Sequence, residues 1–444
     1  MNKNTIAAIS TPIGVGGISI IRISGEEALM ISSKTCSVDL NNLKPRYMNF
    51  VKIKTESFSD IGFFIFFKAP KSFTGEDMVE LQVHGGTVVA ESILKELIKN
   101  GAKLADPGEF TKRAFLNNKL TLDKAEGVID MINSTTISQA KAGYSLLSGK
   151  LYKKTKDIQE KIKFLLAEIE AIIDYPEYDI EEREINEFIK ILEKSKKEIK
   201  ELIDTSAMGM IVKNGINVAI IGKPNVGKSS LLNAMLNYDR AIVTSVEGTT
   251  RDTLQESYLF KGININITDT AGIRESSDEV EKIGIERSKN IINQSDIVLF
   301  IIDGSEKEID RSERELYKII KDKKHIVVQN KMDVSENKIV KDAFLVSAEK
   351  DVNISELKEL IYKKVVDEKI IESDVLITNQ RHLEKLKEAY KSTDEAVKLL
   401  KNKTSLDIVA IDIKDAWLNM GEISGEVSNE EIINTIFNKF CLGK

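Results

Sequence analysis

The stretch "GKPNVGKSS" (Gly222 to Ser230) constrains the fold more than any other part of the chain. It follows the apolar run "NVAII" and opens the helical "SLLNAML", giving the order strand, glycine loop, helix that a phosphate-binding loop requires. Gly222 and Gly227 let the backbone bend its N–H groups around phosphates, and Lys228 supplies charge for the β and γ positions. The helix start adds its dipole, and Ser229 is a suitable Mg²⁺ ligand. A pattern this short arises by chance, so the reading depends on further matches in the right order.

Four follow. "GTTRD" (Gly248 to Asp252) contains Thr250, suited to complete a Mg²⁺ sphere, and "DTAG" (Asp269, Thr270, Ala271, Gly272) ends the strand-like "INIT". Asp269 is expected in the Mg²⁺ shell, and the Gly272 N–H is expected at the γ-phosphate. "NKMD" then presents Asn330, Lys331 and Asp333. The Asp333 carboxylate can accept from guanine N1–H and the exocyclic amine, donors that adenine lacks, so it selects GTP. Ser347 and Ala348 of "VSA" close the base pocket. Residues 214–368 therefore resemble the translation-factor branch of Ras-like GTPases, an α/β domain with a P-loop. One position departs from Ras: Ile273 stands where a glutamine would orient the attacking water. Catalytic help must come from elsewhere, either from the acidic stretch after "DTAG" or from a monovalent cation beside Asn225. An arginine finger in that role is worth roughly 10³–10⁵ in rate. Asn225 is equally suited to stabilising a turn.

The remainder has two other textures. Residues 1–118 alternate short apolar runs with Gly and Pro ("GISIIRIS", "IGFFIFF", "MVELQVHGG"), an α+β pattern. Residues 119–213 and 369–444 have helical periodicity. Helical segments on both sides of an α/β unit imply one long-helix domain with the GTPase domain inserted in a surface connection, giving a multidomain α+β protein. The longest apolar runs have strand length, and no secretory leader is evident, so a cytoplasmic protein is expected. Cys36, Cys441 and three histidines form no metal-ligand cluster. A net charge of −6 gives no global attraction to nucleic acid, and the basic segments 150–163 and 193–200 alternate with acids as solvated helix faces do.

The ordered set "TPIGVGGISIIRISG", "SFTGEDMVELQVHGG", "DPGEFTKRAFLNNKLTLDKAEGVIDMI" and the terminal "FCLGK" resembles, over the whole chain, the MnmE (TrmE) family of tRNA-modifying GTPases. That resemblance implies a homodimer whose amino-terminal domain binds a tetrahydrofolate derivative, in its 5,10-methylene or 5-formyl form, through Arg22, Glu80, Lys119 and Lys444. It assigns K⁺ to Asn225, Thr244, Val246 and Thr249, with hydrolysis activated when two GTPase domains meet. Asn225, Val226, Gly227, Lys228, Ser229 and Ser230, with Thr244, Ser245, Val246, Glu247, Gly248, Thr249 and Thr250, would then surround the nucleotide. Glu281 matches the residue that positions water. The implied reaction places an aminomethyl or carboxymethylaminomethyl group on C5 of the wobble uridine of certain tRNAs. It requires a flavoprotein of the MnmG (GidA) type in a heterotetramer. FAD belongs to that partner, because the glycines of "GVGG" here precede a strand and do not open a helix.

The terminal "FCLGK" fails the prenylation pattern, which requires aliphatic residues after the cysteine and a permitted last residue. The resemblance carries this tail to the folate site, so Cys441 joins Glu281, Asp269 and Thr250 as a catalytic candidate. A ribosome-assembly GTPase explains the GTP motifs equally well but leaves the folate set and the tail unexplained. A dynamin-like membrane GTPase lacks the amphipathic segment it would need.

Overall fold

The computed structural model describes residues 4–175, 182–237, 255–269, 290–335, 337–427 and 430–443. The chain divides into two compact units, one of Met1–Ile129, Leu146–Leu192 and Lys391–Lys444, the other of Asp130–Ser145 and Glu193–Tyr390.

In the first unit β1 (Ile6–Ile9), β2 (Ile18–Ser24), β3 (Met48–Lys54), β4 (Ser59–Phe67), β5 (Met78–His84) and β6 (Lys103–Leu104) form one sheet in the order β3-β4-β5-β2-β1-β6. All neighbours are antiparallel except β1 and β6. The period of two sorts each strand between faces. Ile21, Ile23, Val51, Ile53, Phe64, Phe66, Val79 and Leu81 pack with Ala28 and Ile31 of helix Ala28–Thr35 and Ile93 and Leu97 of helix Thr87–Lys99. On the other face Ile6 and Ala8 meet Phe110 of helix Glu109–Leu116. Farther along that face the apolar side chains stay exposed, with Phe50 at 68% and Ile61 at 50%, and Phe50 and Phe63 form a T-shaped pair across β3 and β4.

The long helices of this unit pair by the same sorting at helical period. Leu151, Ile158, Ile162, Leu165 and Ile169 of helix Lys150–Asp174 are buried, as are Val409, Ile413, Ala416, Met420 and Ile423 of helix Leu406–Ser424. The two pack against each other closely enough that a Cβ on Gly421 would lie 2.6 Å from Gln159 Nε2. Helix Glu430–Phe437 then lies against helix Glu109–Leu116.

The second unit holds β7 (Ile216–Gly222), β8 (Gln255–Phe260), β9 (Ile263–Asp269), β10 (Ile297–Asp303), β11 (His325–Asn330) and β12 (Phe344–Leu345), ordered β12-β11-β10-β7-β9-β8. Every pairing is parallel except β8 with β9. Parallel strands need crossover helices, which cover both faces, and β10 reads accordingly as an unbroken apolar run. Ile297, Leu299 and Ile301 pack into one core and Val298, Phe300 and Ile302 into the other. Among the described residues no helix is long and apolar enough to cross a membrane.

Gly108, at φ +69°, precedes helix Glu109–Leu116, and a Cβ there would stand 2.4 Å from the Phe437 carbonyl oxygen. Gly108→Ala is expected to cost about 1–3 kcal/mol through backbone strain and displacement of the terminal helix. Thermal unfolding monitored by circular dichroism checks this, since an unchanged midpoint would mean that the terminal helix moves aside freely.

Candidate functional site

The phosphate loop leaves β7 at Gly222, where the chain is wedged against β10: a Cβ on Gly222 would lie 2.5 Å from the Ile301 carbonyl oxygen. Asn225 adopts φ +65° and Gly227 φ +92°, so the loop turns twice through the left-handed region before helix Lys228–Asn237 begins. Asn tolerates that region and Gly does so without strain. Among the described residues no group engages the Asn225 side chain, which is exposed. Lys228 is 7% exposed, and its ammonium donates to the carbonyls of Gly222 (2.9 Å) and Lys223 (2.5 Å), which holds it across the mouth of the loop. Ser229 and Ser230 stand exposed in the first helical turn, where unpaired N–H groups and the dipole favour an anion.

The base-recognition segments arrive from the ends of β11 and β12. Asn330, 3% exposed, donates from Nδ2 to the Val226 carbonyl (3.0 Å), and its Oδ1 accepts from the Ala348 N–H (3.0 Å). Gly227 lies directly beneath this amide: a Cβ there would be 2.2 Å from Asn330 Nδ2. Lys331, at φ +65°, extends its ammonium to Asp303 at the end of β10 (2.6 Å). Asp333 accepts from the Ser347 hydroxyl (2.5 Å), and this bond holds its carboxyl below the usual value, keeping it an acceptor. The structure thus gathers Val226, Gly227, Lys228, Asn330, Ser347 and Ala348 into one linked arrangement. Asp269 ends β9, which runs parallel beside β7. Thr244, Ser245, Val246, Glu247, Gly248, Thr249, Thr250, Thr270, Ala271, Gly272 and Glu281 lie outside the described residues.

Sequence reasoning passed over Lys223. Its ammonium sits 2.5 Å from Asp310, 3.4 Å from Glu313 and 3.7 Å from Glu306. Asp310 caps helix Arg311–Ile320 in a capping box with Glu313. The Lys223 hydrogen bond, followed by the Glu313 N–H, pulls the Asp310 carboxyl down to about 2. The motif names Lys223 only as a variable position, and its acidic partners carry no motif at all.

In the first unit Arg22 on β2 lies opposite Glu80 on β5, and its guanidinium donates twice to Glu80 Oε1, at 3.0 and 2.8 Å. The same guanidinium stands over Phe73 (5.4 Å) and Phe110 (5.7 Å). The Lys119 ammonium donates to the Pro70 carbonyl (3.0 Å), so it reaches the loop that contains Phe73. Phe440 is buried, Cys441 is exposed, and the Gly443 carbonyl accepts from the Ser10 hydroxyl (3.0 Å) just beyond β1. A Cβ on Gly443, at φ +87°, would fall 2.2 Å from the Ile9 carbonyl oxygen. Lys444 lies outside the described residues. The amino-terminal sheet and the carboxyl-terminal tail therefore converge, a meeting that neither sequence segment announces by itself.

Residues 5–119 match the description "GTP-binding protein TrmE N-terminus" and residues 122–441 match "MnmE helical domain". Proteins named tRNA modification GTPase MnmE are similar over essentially full length. That of Desulforamulus reducens is 41% identical, with all of both chains covered. That of Lactobacillus gasseri is 40% identical, covering 99% of this chain and 98% of its own. That of Acetivibrio thermocellus is 41% identical, covering 100% and 99%.

Gly227→Ala is expected to weaken GTP binding at least ~10-fold, because the methyl group pushes Asn330 off the Val226 carbonyl and strains φ. Titration with a fluorescent GTP analogue reads this directly, and unchanged affinity would show that Asn330 is dispensable for the loop.

Proposed function

Because the chain belongs to the MnmE family of tRNA modification GTPases, we propose that it couples GTP turnover to installing an aminomethyl or carboxymethylaminomethyl group on C5 of the wobble uridine of certain tRNAs. The observation that carries the GTP half is the buried Lys228 ammonium held at the mouth of the phosphate loop. Asp333, kept ionised by Ser347, supplies the guanine-specific acceptor.

The folate half rests on Arg22 and Glu80. A pterin offers an amino group beside a ring N–H, a pair of donors that suits a carboxylate, and Glu80 Oε2 has no partner among the described residues. Phe73 and Phe110 give apolar surface beside it, while Lys119 and Lys444 suit the glutamate tail. These residues fit a reduced folate, which would supply the one-carbon unit, with glycine or ammonium as the amine. Cys441, exposed on the tail that reaches β1, is the thiol available to that site.

Mg²⁺ would be held by Ser229 and Thr250, and K⁺ by Asn225 with Thr244, Val246 and Thr249. The uncommitted, exposed amide of Asn225 supports the K⁺ role. The cation would stabilise charge that Ile273 cannot, with Glu281 positioning water. The exposed apolar face of β3 and β4 supports a homodimer formed through the amino-terminal domain. A flavoprotein of the MnmG type completes the heterotetramer and supplies FAD, with tRNA as substrate in the cytoplasm. GTP hydrolysis would drive opening and closing of the assembly.

Deleting the gene is expected to remove C5-aminomethyl-type uridines from bulk tRNA, with restoration by the wild-type gene but not by Asp269→Ala. Mass spectrometry of nucleosides decides, and an unchanged profile would leave the GTPase without this modification role. Hydrolysis is also expected to run faster in KCl than in NaCl at equal ionic strength, and equal rates would remove K⁺ from the site. Arg22→Ala is expected to reduce binding of 5-formyltetrahydrofolate by roughly tenfold or more, about the loss of one charged hydrogen bond, as read by calorimetry.

A further inference from the structure

We infer that Lys223 is a positioning residue for GTP binding, whose ammonium anchors the phosphate loop to the cap of helix Arg311–Ile320 and so aims Lys228 at the phosphates. This role rests on the P-loop reading above and adds a residue outside the nucleotide contacts it assigns.

The Lys223 carbonyl is one of the acceptors that hold the Lys228 ammonium, at 2.5 Å, so any rotation of the Lys223 peptide changes where Lys228 points. That peptide lies between Gly222, wedged against Ile301, and Pro224, whose ring removes a donor and restricts Lys223 to extended conformations. The side chain then fixes what the backbone leaves free. It spans to three carboxylates on the segment after β10, and that segment is itself rigid: Asp310 Oδ1 accepts from the Glu313 N–H (2.9 Å) and Glu313 Oε2 from the Asp310 N–H (3.1 Å). Glu313 is 2% exposed, so its charge requires a cation, and Lys223 is the one within 4 Å among the described residues. One lysine facing three carboxylates is held from several directions, which restrains it more than a single surface pair would. A flexible side chain is thereby converted into a fixed strut between the phosphate loop and a helix end.

Lys228 meets the phosphates in both the ground and the transition state, so misaiming it weakens binding more than turnover. Lys223→Met is expected to raise both the Kd for a fluorescent GTP analogue and the KM for GTP about tenfold, with kcat within about twofold. Lys223→Arg restores both values, because a guanidinium reaches the same carboxylates. The double variant Asp310→Asn with Glu313→Gln keeps a cap-competent side chain, removes the buried charge, and is expected to reproduce the Lys223→Met values. Adding Lys223→Met to it costs nothing more, the non-additivity that marks one shared interaction. If Lys223→Met fails to fold, the double variant Asp310→Asn with Glu313→Gln carries the test alone. The inference is overturned if KM is unmoved in both variants, if their losses add, or if kcat falls as much as affinity. A wild-type protein that does not bind GTP would overturn the P-loop reading, whereas wild-type binding with unmoved variants overturns only the role of Lys223.

Discussion

The Asn330 side-chain amide joins segments that are 104 and 18 residues away in sequence, the phosphate loop at Val226 and the base-recognition loop at Ala348. It is buried, so its donor and acceptor must be satisfied inside the protein, and those two backbone groups satisfy them. Much of the nucleotide site depends on this. Gly227 must lack a side chain because the amide occupies the space above it. The bond to Ala348 fixes the segment in which the neighbouring Ser347 hydroxyl donates to Asp333 and lowers its carboxyl. A phosphate-binding element and a guanine-binding element from different strand ends thus become one rigid site, as electrostatic recognition of a triphosphate requires.

The sheet supplies the frame for that amide. With β7, β10 and β11 parallel and adjacent, their carboxyl ends reach the same edge, and Gly222, Asp303 and Asn330 are brought together there. Lys331 to Asp303 and Lys223 to Asp310 are charge pairs along this edge, and each ties a loop that meets nucleotide to one that does not. Loops that bind ligand are stable only when supported from behind, and here the supports are ionic because the edge is partly open to water.

The first unit solves a different problem. Its sheet packs helices on one face and divides the other between Phe110 and an exposed apolar surface, with the Arg22 and Glu80 pair on the strands between. Both bonds from Arg22 go to one Glu80 oxygen, which leaves the other without a partner among the described residues. The return of the carboxyl-terminal tail to β1, through Ser10 and Gly443, joins the ends of a long chain at this same sheet.

Local pattern alone determined a good deal. "NVAIIGKPNVGKSS" specifies strand, phosphate loop and helix because each residue type serves the backbone geometry next to it, and "IVLFII" has strand length, while its coverage on both faces comes from the fold. The apolar run "IGFFIFF" implied a strand by its length, yet nothing local said that Phe64 and Phe66 would be buried while Ile61 and Phe63 stayed exposed. The residues proposed for folate were legible only through resemblance, since Arg22 and Glu80 are 58 residues apart and become a pair only through strand register. The same holds for Lys223, whose carboxylate partners begin 83 residues later as an ordinary acidic stretch. Short-range geometry is encoded residue by residue and can be read along the chain. Pairings across a sheet edge or between chain ends depend on register and helix crossing, which the whole packed core decides at once.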